Sequence, residues 1–418
     1  MNRIGSSLAR QVGVLGWVAL GLSVVLNTMT VAATKPDSLL LRRARHLAEQ
    51  FIIVDTHIDA PYRFLDSSTA IAGRTKDGDF DYVRAREGGL DVPFMSIFTP
   101  ASLEGTGRAR AKADALIDAV YRLVRSHPDK FAVVTSVDDV KRKAGEGKIL
   151  LAMGMENGSP VEGNLANLKY FFDRGVRYLT MAHAKSNHLA DASYDKHRRW
   201  RGLSPFGRQA VQEMNRLGIM IDLSHLTDSA AFQILRLTKA PVIASHSSCR
   251  FFTPGFERNI SDKLIRAVAA NGGVVQINFG SSFLDNTFRR QEDREQHMIN
   301  EHLANHHWKP ETKEAKAYEA EYRRGHPLRF PNVARVADHI DHVVKLVGVE
   351  FVGFGSDFDG VGDSLPVGLK DVSDYPNLIA VLLQRGYSES DIQKICGANL
   401  LRVWSRVEQV AQQMGASQ

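Results

Sequence analysis

Phe51-Ile52-Ile53-Val54-Asp55-Thr56-His57-Ile58-Asp59 is an apolar run that leads straight into metal-binding residue types. Residues i and i+2 of a strand point to the same side, so His57 and Asp59 converge on one point where the run ends. An imidazole and a carboxylate at a strand terminus make half of a metal site on a barrel rim. Seven more apolar runs follow, at 92–97, 149–155, 177–181, 219–223, 241–244, 274–277 and 351–355, with 131–135 as an extra short strand. They are apolar throughout, as strands covered on both faces should be.

Amphipathic stretches separate them. In 109–125, Ala113, Leu116, Ile117, Val120, Tyr121 and Val124 fall at helical spacing. Residues 165–172, 205–217, 229–237, 261–270 and 333–347 read similarly, and Gly218, Gly272 and Gly348 sit where a helix C-terminus favours glycine. Eight alternating strands and helices imply a (β/α)₈ TIM barrel; an open doubly wound sheet is disfavoured because no Gly-rich phosphate loop follows any strand. Residues 69–89 read as a polar loop. Residues 286–329 read as a charged insertion over the active-site face, with a helix in 313–324. The insertion holds His297, His302, His306 and His307, and with no convergent carboxylate these read as solvated. Helices are expected at 375–384 and 390–412, the second broken at Gly397.

The N-terminus stands apart from this fold. Arg3 and Arg10 are the only charges before an apolar stretch over 12–26, and Val31-Ala32-Ala33 supplies small residues for cleavage. Residues 1–33 thus read as a secretory signal peptide, with 34–418 as one barrel domain. The apolar core is shorter than the ~20 residues of a membrane span. The chain is therefore expected to be exported, periplasmic or secreted, with no stable span after cleavage. Cleavage would take two positive charges from the formal +6 of the 418-residue chain. No basic stripe with interleaved aromatics points to nucleic acid. Cys249 and Cys396, in different motifs, read as separate buried thiols.

The remaining strand ends supply Glu156, His183, His225, His246 and Asp357. One such residue at a strand end is usually structural; six strand ends in register on one face would be undersatisfied without cations. Imidazoles and carboxylates with no thiolate suit zinc, with manganese or cobalt as substitutes. Two metals fit the count: His57 and Asp59 on one, His225 and His246 on the other, with Glu156 bridging. Paired metals share and activate a water. Asp357 remains as a proton carrier to a leaving amine, and His183 to steady an oxyanion.

These motifs resemble the membrane (renal) dipeptidases, zinc peptidases on an amidohydrolase-like TIM barrel. The resemblance runs over about residues 45–405. It rests on the Asp55-x-His57-x-Asp59 opening, Gly154-x-Glu156-x-Gly158, Leu179-Thr180-x-x-His183, Leu223-Ser224-His225, Ser245-His246-Ser247 and Gly355-Ser356-Asp357-Phe358-Asp359-Gly360. It implies the same two-zinc assignment bridged by Glu156, His183 against the scissile region, and Asp357 as acid/base. It also implies that Arg258 binds the dipeptide's terminal carboxylate, which a guanidinium can grip bidentately. Small dipeptides (L,L and L,D), β-lactam ring opening and a homodimer are further implications. Asn157, where many relatives carry glycine, and the long insertion put side-chain preference in question. A metal-dependent amide, lactone or phosphoester hydrolase on the same barrel is the competing reading, and an exported binding protein with a dead site is the third.

Overall fold

The computed structural model describes residues 38–416, so the expected signal peptide lies outside the described residues. Among the described residues nine strands are present: β1 (Ile53–Ile58), β2 (Leu90–Phe98), β3 (Phe131–Val133), β4 (Ile149–Glu156), β5 (Val176–Thr180), β6 (Met220–Asp222), β7 (Ile243–Ala244), β8 (Val274–Ile277) and β9 (Val352–Phe354). All pair in parallel. From β2 the order runs through β1, β9, β8, β7, β6, β5 and β4, and β4 returns to β2. That closes an eight-stranded barrel, with β3 an outer strand on β4, and the expected TIM barrel is the observed fold.

Two cores hold it. One joins helix faces to the outside of the barrel. The other draws Val54, Val92, Phe94, Leu150, Ala152, Tyr178, Met220, Ile243 and Val274 from seven barrel strands together with Val403, Trp404 and Val407. Only the enclosed interior can gather side chains from so many strands, so the helix Asn399–Ala416 plugs one barrel end. Trp404 meets Phe94 edge-on at 5.3 Å.

The helices begin where their capping residues predict. Ser204, Thr227, Ser261 and Asn332 each accept a backbone N–H of the following first turn. Gly218 closes its helix in the left-handed conformation at φ 84°. Helices at Pro205–Leu217 and Val333–Val347 match the expected bounds.

Three readings need correction. β1 extends four residues past Val54, so His57 lies within the strand and not beyond its end. The ladder continues because Asp357 N donates to His57 O, and Asp59 N to Phe358 O. Residues 69–89 are not simply a loop: the helix Pro61–Ile71 enters the stretch, and a second helix fills Tyr82–Gly88, capped by Asp81 and ended by Gly89 at φ 76°. The insertion holds two helices, Asn286–Asn305 and Lys313–Gly325, where one was expected. The break near Gly397 is a π-helical turn, Lys394–Ala398.

Candidate metal centre

All eight singled-out residues meet at the end of the barrel where the strands' C-termini emerge. His57 is fully buried on β1, and Glu156 ends β4. His183, His225, His246 and Asp357 follow β5, β6, β7 and β9. Three groups bring ligand atoms within 4.8 Å of one another: His57, Glu156 and His246; Glu156, His183 and His225; His57, Asp59 and Asp357. Glu156 lies between two sets of imidazoles. Its Oε2 is 3.4 Å from His57 Nε2, while Oε1 is 3.1 Å from His225 Nε2, 3.4 Å from His183 Nε2 and 3.6 Å from His246 Nε2. Asp59 Oδ2 is 3.4 Å from His57 Nε2.

Most of these separations are long for hydrogen bonds, which peak near 2.9 Å. Two ligands held tetrahedrally at zinc bond lengths lie about 3.3–3.6 Å apart, so the spacing fits shared coordination. His57 Nε2, the ring nitrogen that faces the cluster, is buried without a hydrogen-bond partner. An orphaned buried nitrogen of this kind is costly unless something positive takes its lone pair.

The supporting residues decide which nitrogen faces the cluster. Tyr178 Oη lies 2.7 Å from His57 Nδ1, leaving Nε2 for the site. Ser245 Oγ donates to Asp222 Oδ2 at 2.7 Å and therefore accepts from His246 Nδ1, also at 2.7 Å, which frees His246 Nε2. Ser96 Oγ donates to Glu156 Oε2, and Asn278 Nδ2 donates to Asp357 Oδ2 at 2.7 Å. Asp55, buried beneath, accepts from His57 N, Ser356 N and the Tyr375 hydroxyl, tying β1 to the loop after β9. Glycine makes two of these approaches available. A Cβ at Gly154 would run into the Tyr178 ring, and one at Gly360 into the Asp59 and Asp357 carboxylates.

The electrostatics are those of a site short of positive charge. Burial opposes protonation of His57, but Tyr178, Glu156 and Asp59 outweigh it and raise its pKa well above the ordinary value. Burial would raise Glu156; the four surrounding imidazoles reverse this and hold it well below the usual range. Burial and the Arg258 charge keep His225 neutral, and burial, His57 and Arg258 do so for His246. Asp357 is pushed up to about 8, chiefly by burial and by the neighbouring Asp59 and Glu156, with His57 opposing. Asn157, His225, Asp357 and Asp359 all adopt positive φ, between 63° and 74°. Such strain in non-glycine residues gathers where a site requires it.

Arg258 is buried beside His225. Its Nη2 lies 3.1 Å from His225 Nε2 and donates to His246 O, Nη1 donates to Ser247 Oγ, and Nε has no partner. A cavity of about 610 Å³ opens above, lined by Asp59, Glu156, His183, His225 and Asp357 along with Tyr62 and Tyr194. The insertion histidines stay away from it: His302 stacks on Tyr318 at 3.5 Å, and none of the four belongs to a metal-competent group among the described residues. Cys249 and Cys396 are separate buried thiols, as expected.

Tyr178, Asp222, Ser245 and Asn278 were not anticipated. Asn278, one position after β8, was legible as a polar residue at a strand end. Tyr178 sits in mid-strand, and nothing in its spacing marks it.

The model of the membrane dipeptidase family, peptidase family M19, matches residues 41–418. The chain belongs to that family. This dipeptidase-family chain is 34% identical over 408 residues to an uncharacterized dipeptidase of Schizosaccharomyces pombe, covering 92% of this chain and 88% of that one. It is 32% identical to dipeptidase 3 of Mus musculus, covering 90% of this chain and 68% of that one. Among solved structures it resembles the probable dipeptidase PvdM of Pseudomonas aeruginosa, with TM-score 0.77, 29% identity, and coverage of 89% and 99% of the two chains. A Rhodobacter sphaeroides metallopeptidase liganded with a phosphinate mimic of the dipeptide L-Ala-D-Ala gives TM-score 0.69 at 25% identity, covering 85% of this chain and 99% of that one. The chain is thus a metallo-dipeptidase by family, and its candidate metal-binding groups lie where the barrel fold puts catalytic residues.

Proposed function

We propose that this metallo-dipeptidase works with two zinc ions, one held by His57, Asp59 and Glu156 and the other by Glu156, His225 and His246. The observation that carries the pairing is the division of the Glu156 carboxylate, with Oε2 toward His57 and Oε1 toward His225 and His246. Bound zinc supplies a water nucleophile at neutral pH and positive charge for a developing oxyanion.

The chain's own groups do the rest. Asn278 occupies Asp357 Oδ2, so Oδ1 is left to take a proton from the attacking water and pass it to the departing amine. His183 lines the cavity with Nε2 toward Glu156, positioned to donate to the carbonyl oxygen as it gains charge. Arg258 supplies the cation for the substrate's terminal carboxylate, which restricts the enzyme to short peptides. The substrates are L,L and L,D dipeptides, with β-lactam ring opening a further activity of the same chemistry. We place the enzyme outside the cytoplasm after removal of residues 1–33, as a homodimer.

The test is a panel of L,L and L,D dipeptides with metal analysis. Turnover should stop with chelator, return with zinc and track two zinc ions per chain. Chelator-resistant turnover by metal-free protein refutes the reading.

A further inference from the structure

The reaction cavity has a neighbour. Glu292, Val361 and Ser364 line both it and a second hollow of about 660 Å³ under the insertion. Glu292 comes from the insertion helix Asn286–Asn305 and is half-buried. Burial, with Asp293 and Glu295, raises its pKa against the smaller opposing pull of the Ser282 hydroxyl and Arg323. Nearby cations are already engaged: Arg289 pairs with Asp293 and Arg323 with Glu295, each at 2.9 Å. Glu292 itself has no ion-pair partner among the described residues.

The substrate's direction follows from the site. Arg258 lies against His225 and His246, so on the dipeptidase reading, in which Arg258 holds the terminal carboxylate, that carboxylate is at this end. With the scissile bond over Glu156, the N-terminal residue extends toward Asp59 and Asp357. Val361 and Ser364 belong to the loop that follows Asp357, so the second hollow opens on this side. Hence a side chain on the N-terminal residue would pass Glu292 on its way into the hollow.

We infer that Glu292 is a specificity-determining residue, selecting dipeptides whose N-terminal residue carries a long cationic side chain. The inference rests on the dipeptidase reading above. An uncompensated carboxylate in a partly desolvated wall attracts lysine or arginine and repels glutamate, and repulsion discriminates as well as attraction does.

The experiment compares kcat/KM for Lys-Ala, Leu-Ala and Glu-Ala on zinc-loaded wild type, Glu292→Gln, Glu292→Lys and Glu321→Gln. The readout is the Lys-Ala to Glu-Ala ratio within each protein, which a general loss of folding or metal does not move. Wild type should favour Lys-Ala by about tenfold or more, the size of one partly buried charge contact. Glu292→Gln should shrink the ratio by about tenfold and Glu292→Lys should invert it. Glu321→Gln, the same charge change on the exposed face of the second insertion helix, should leave it as in wild type. Ratios within about twofold across all four proteins, or an equal shift in Glu321→Gln, overturn the assignment. If the wild type cleaves no dipeptide at all, the dipeptidase reading fails first and this one falls with it.

Discussion

Replacing Tyr178 with phenylalanine tests whether the residues behind the cluster prepare it for metal. The substitution removes one oxygen, the group 2.7 Å from His57 Nδ1, and keeps the ring that packs at 5.6 Å against Phe94. Tyr178 and His57 are both wholly buried, so no bulk water replaces the lost partner. Leaving a buried imidazole nitrogen unsatisfied costs about 1–3 kcal/mol. The hydroxyl also determines which nitrogen carries the proton, and losing such a partner lowers metal affinity by about 10–100-fold. Two measurements separate these effects. Denaturant unfolding in chelator reads the stability cost on metal-free protein. Competition against a chromophoric chelator reads zinc affinity. Phenylalanine at 178 should weaken the zinc site that includes His57 while the other site retains its affinity. If stability falls but both zinc affinities stay within about threefold of wild type, the hydroxyl is only a packing partner and the tautomer argument is wrong.

Three further outcomes follow from the same geometry. Arg258→Ala should lower dipeptide kcat/KM by about 10²-fold or more and abolish discrimination against C-terminally amidated dipeptides; Arg258→Lys should restore little, since an ammonium lacks the planar fork. Steady-state kinetics on paired free and amidated substrates checks this, and unchanged dipeptide turnover would favour a different substrate for the barrel. Asp357→Asn should reduce kcat by about 10²–10⁴-fold with zinc content preserved, read by kinetics and metal analysis together. Asp91, which accepts the Ile53 N–H at the start of β1, is raised to about 6 by burial. The folded state therefore keeps a proton that the unfolded chain releases near pH 4, and stability is lost as pH rises from about 4 to about 6. Asp91→Asn still accepts the bond without the charge, so the variant should gain in thermal unfolding at pH 8 relative to pH 4, and an equal effect at both pH values would refute the assignment.

The barrel was legible because its strands are apolar on both faces and its helices carry ordinary caps. The rim was legible because imidazoles and carboxylates at successive strand ends are costly without a shared partner. What escaped has physical reasons. Asp55 looks like a strand breaker, yet it is fully buried in β1, where it accepts from Ser356 N and the Tyr375 hydroxyl, partners some 300 residues away. No local pattern reports a partner that distant. The helix Tyr82–Gly88 was hidden in a Gly- and Asp-rich stretch, although Asp81 and Gly89 at its ends are recognisable cap residues. Tyr178 reads as one more apolar strand residue until Gly154 on the adjacent strand shows how closely its ring is accommodated.

These unread residues explain why the cluster is ready to bind metal. Four imidazoles packed around one carboxylate could satisfy each other by hydrogen bonding, and His225 and His246 come close to doing so, with their Nε2 atoms 2.8 Å apart. That contact requires one of the two to be protonated at Nε2. Burial and the adjacent Arg258 charge oppose a proton on either ring beyond the neutral state. Ser245, bound to Asp222, draws the His246 proton to Nδ1. Arg258 Nη2, 3.1 Å from His225 Nε2, can only donate, so that nitrogen must accept as well, and the His225 proton is left on Nδ1, which is buried and unpartnered. A cation at the cluster removes the conflict, since both Nε2 atoms can present lone pairs and His225 can carry its proton on Nδ1. Asp222 and Ser245 thus add to the pull toward metal by fixing the His246 tautomer, and Ser245→Ala should lower zinc affinity at the His225 and His246 site while leaving every ligand in place.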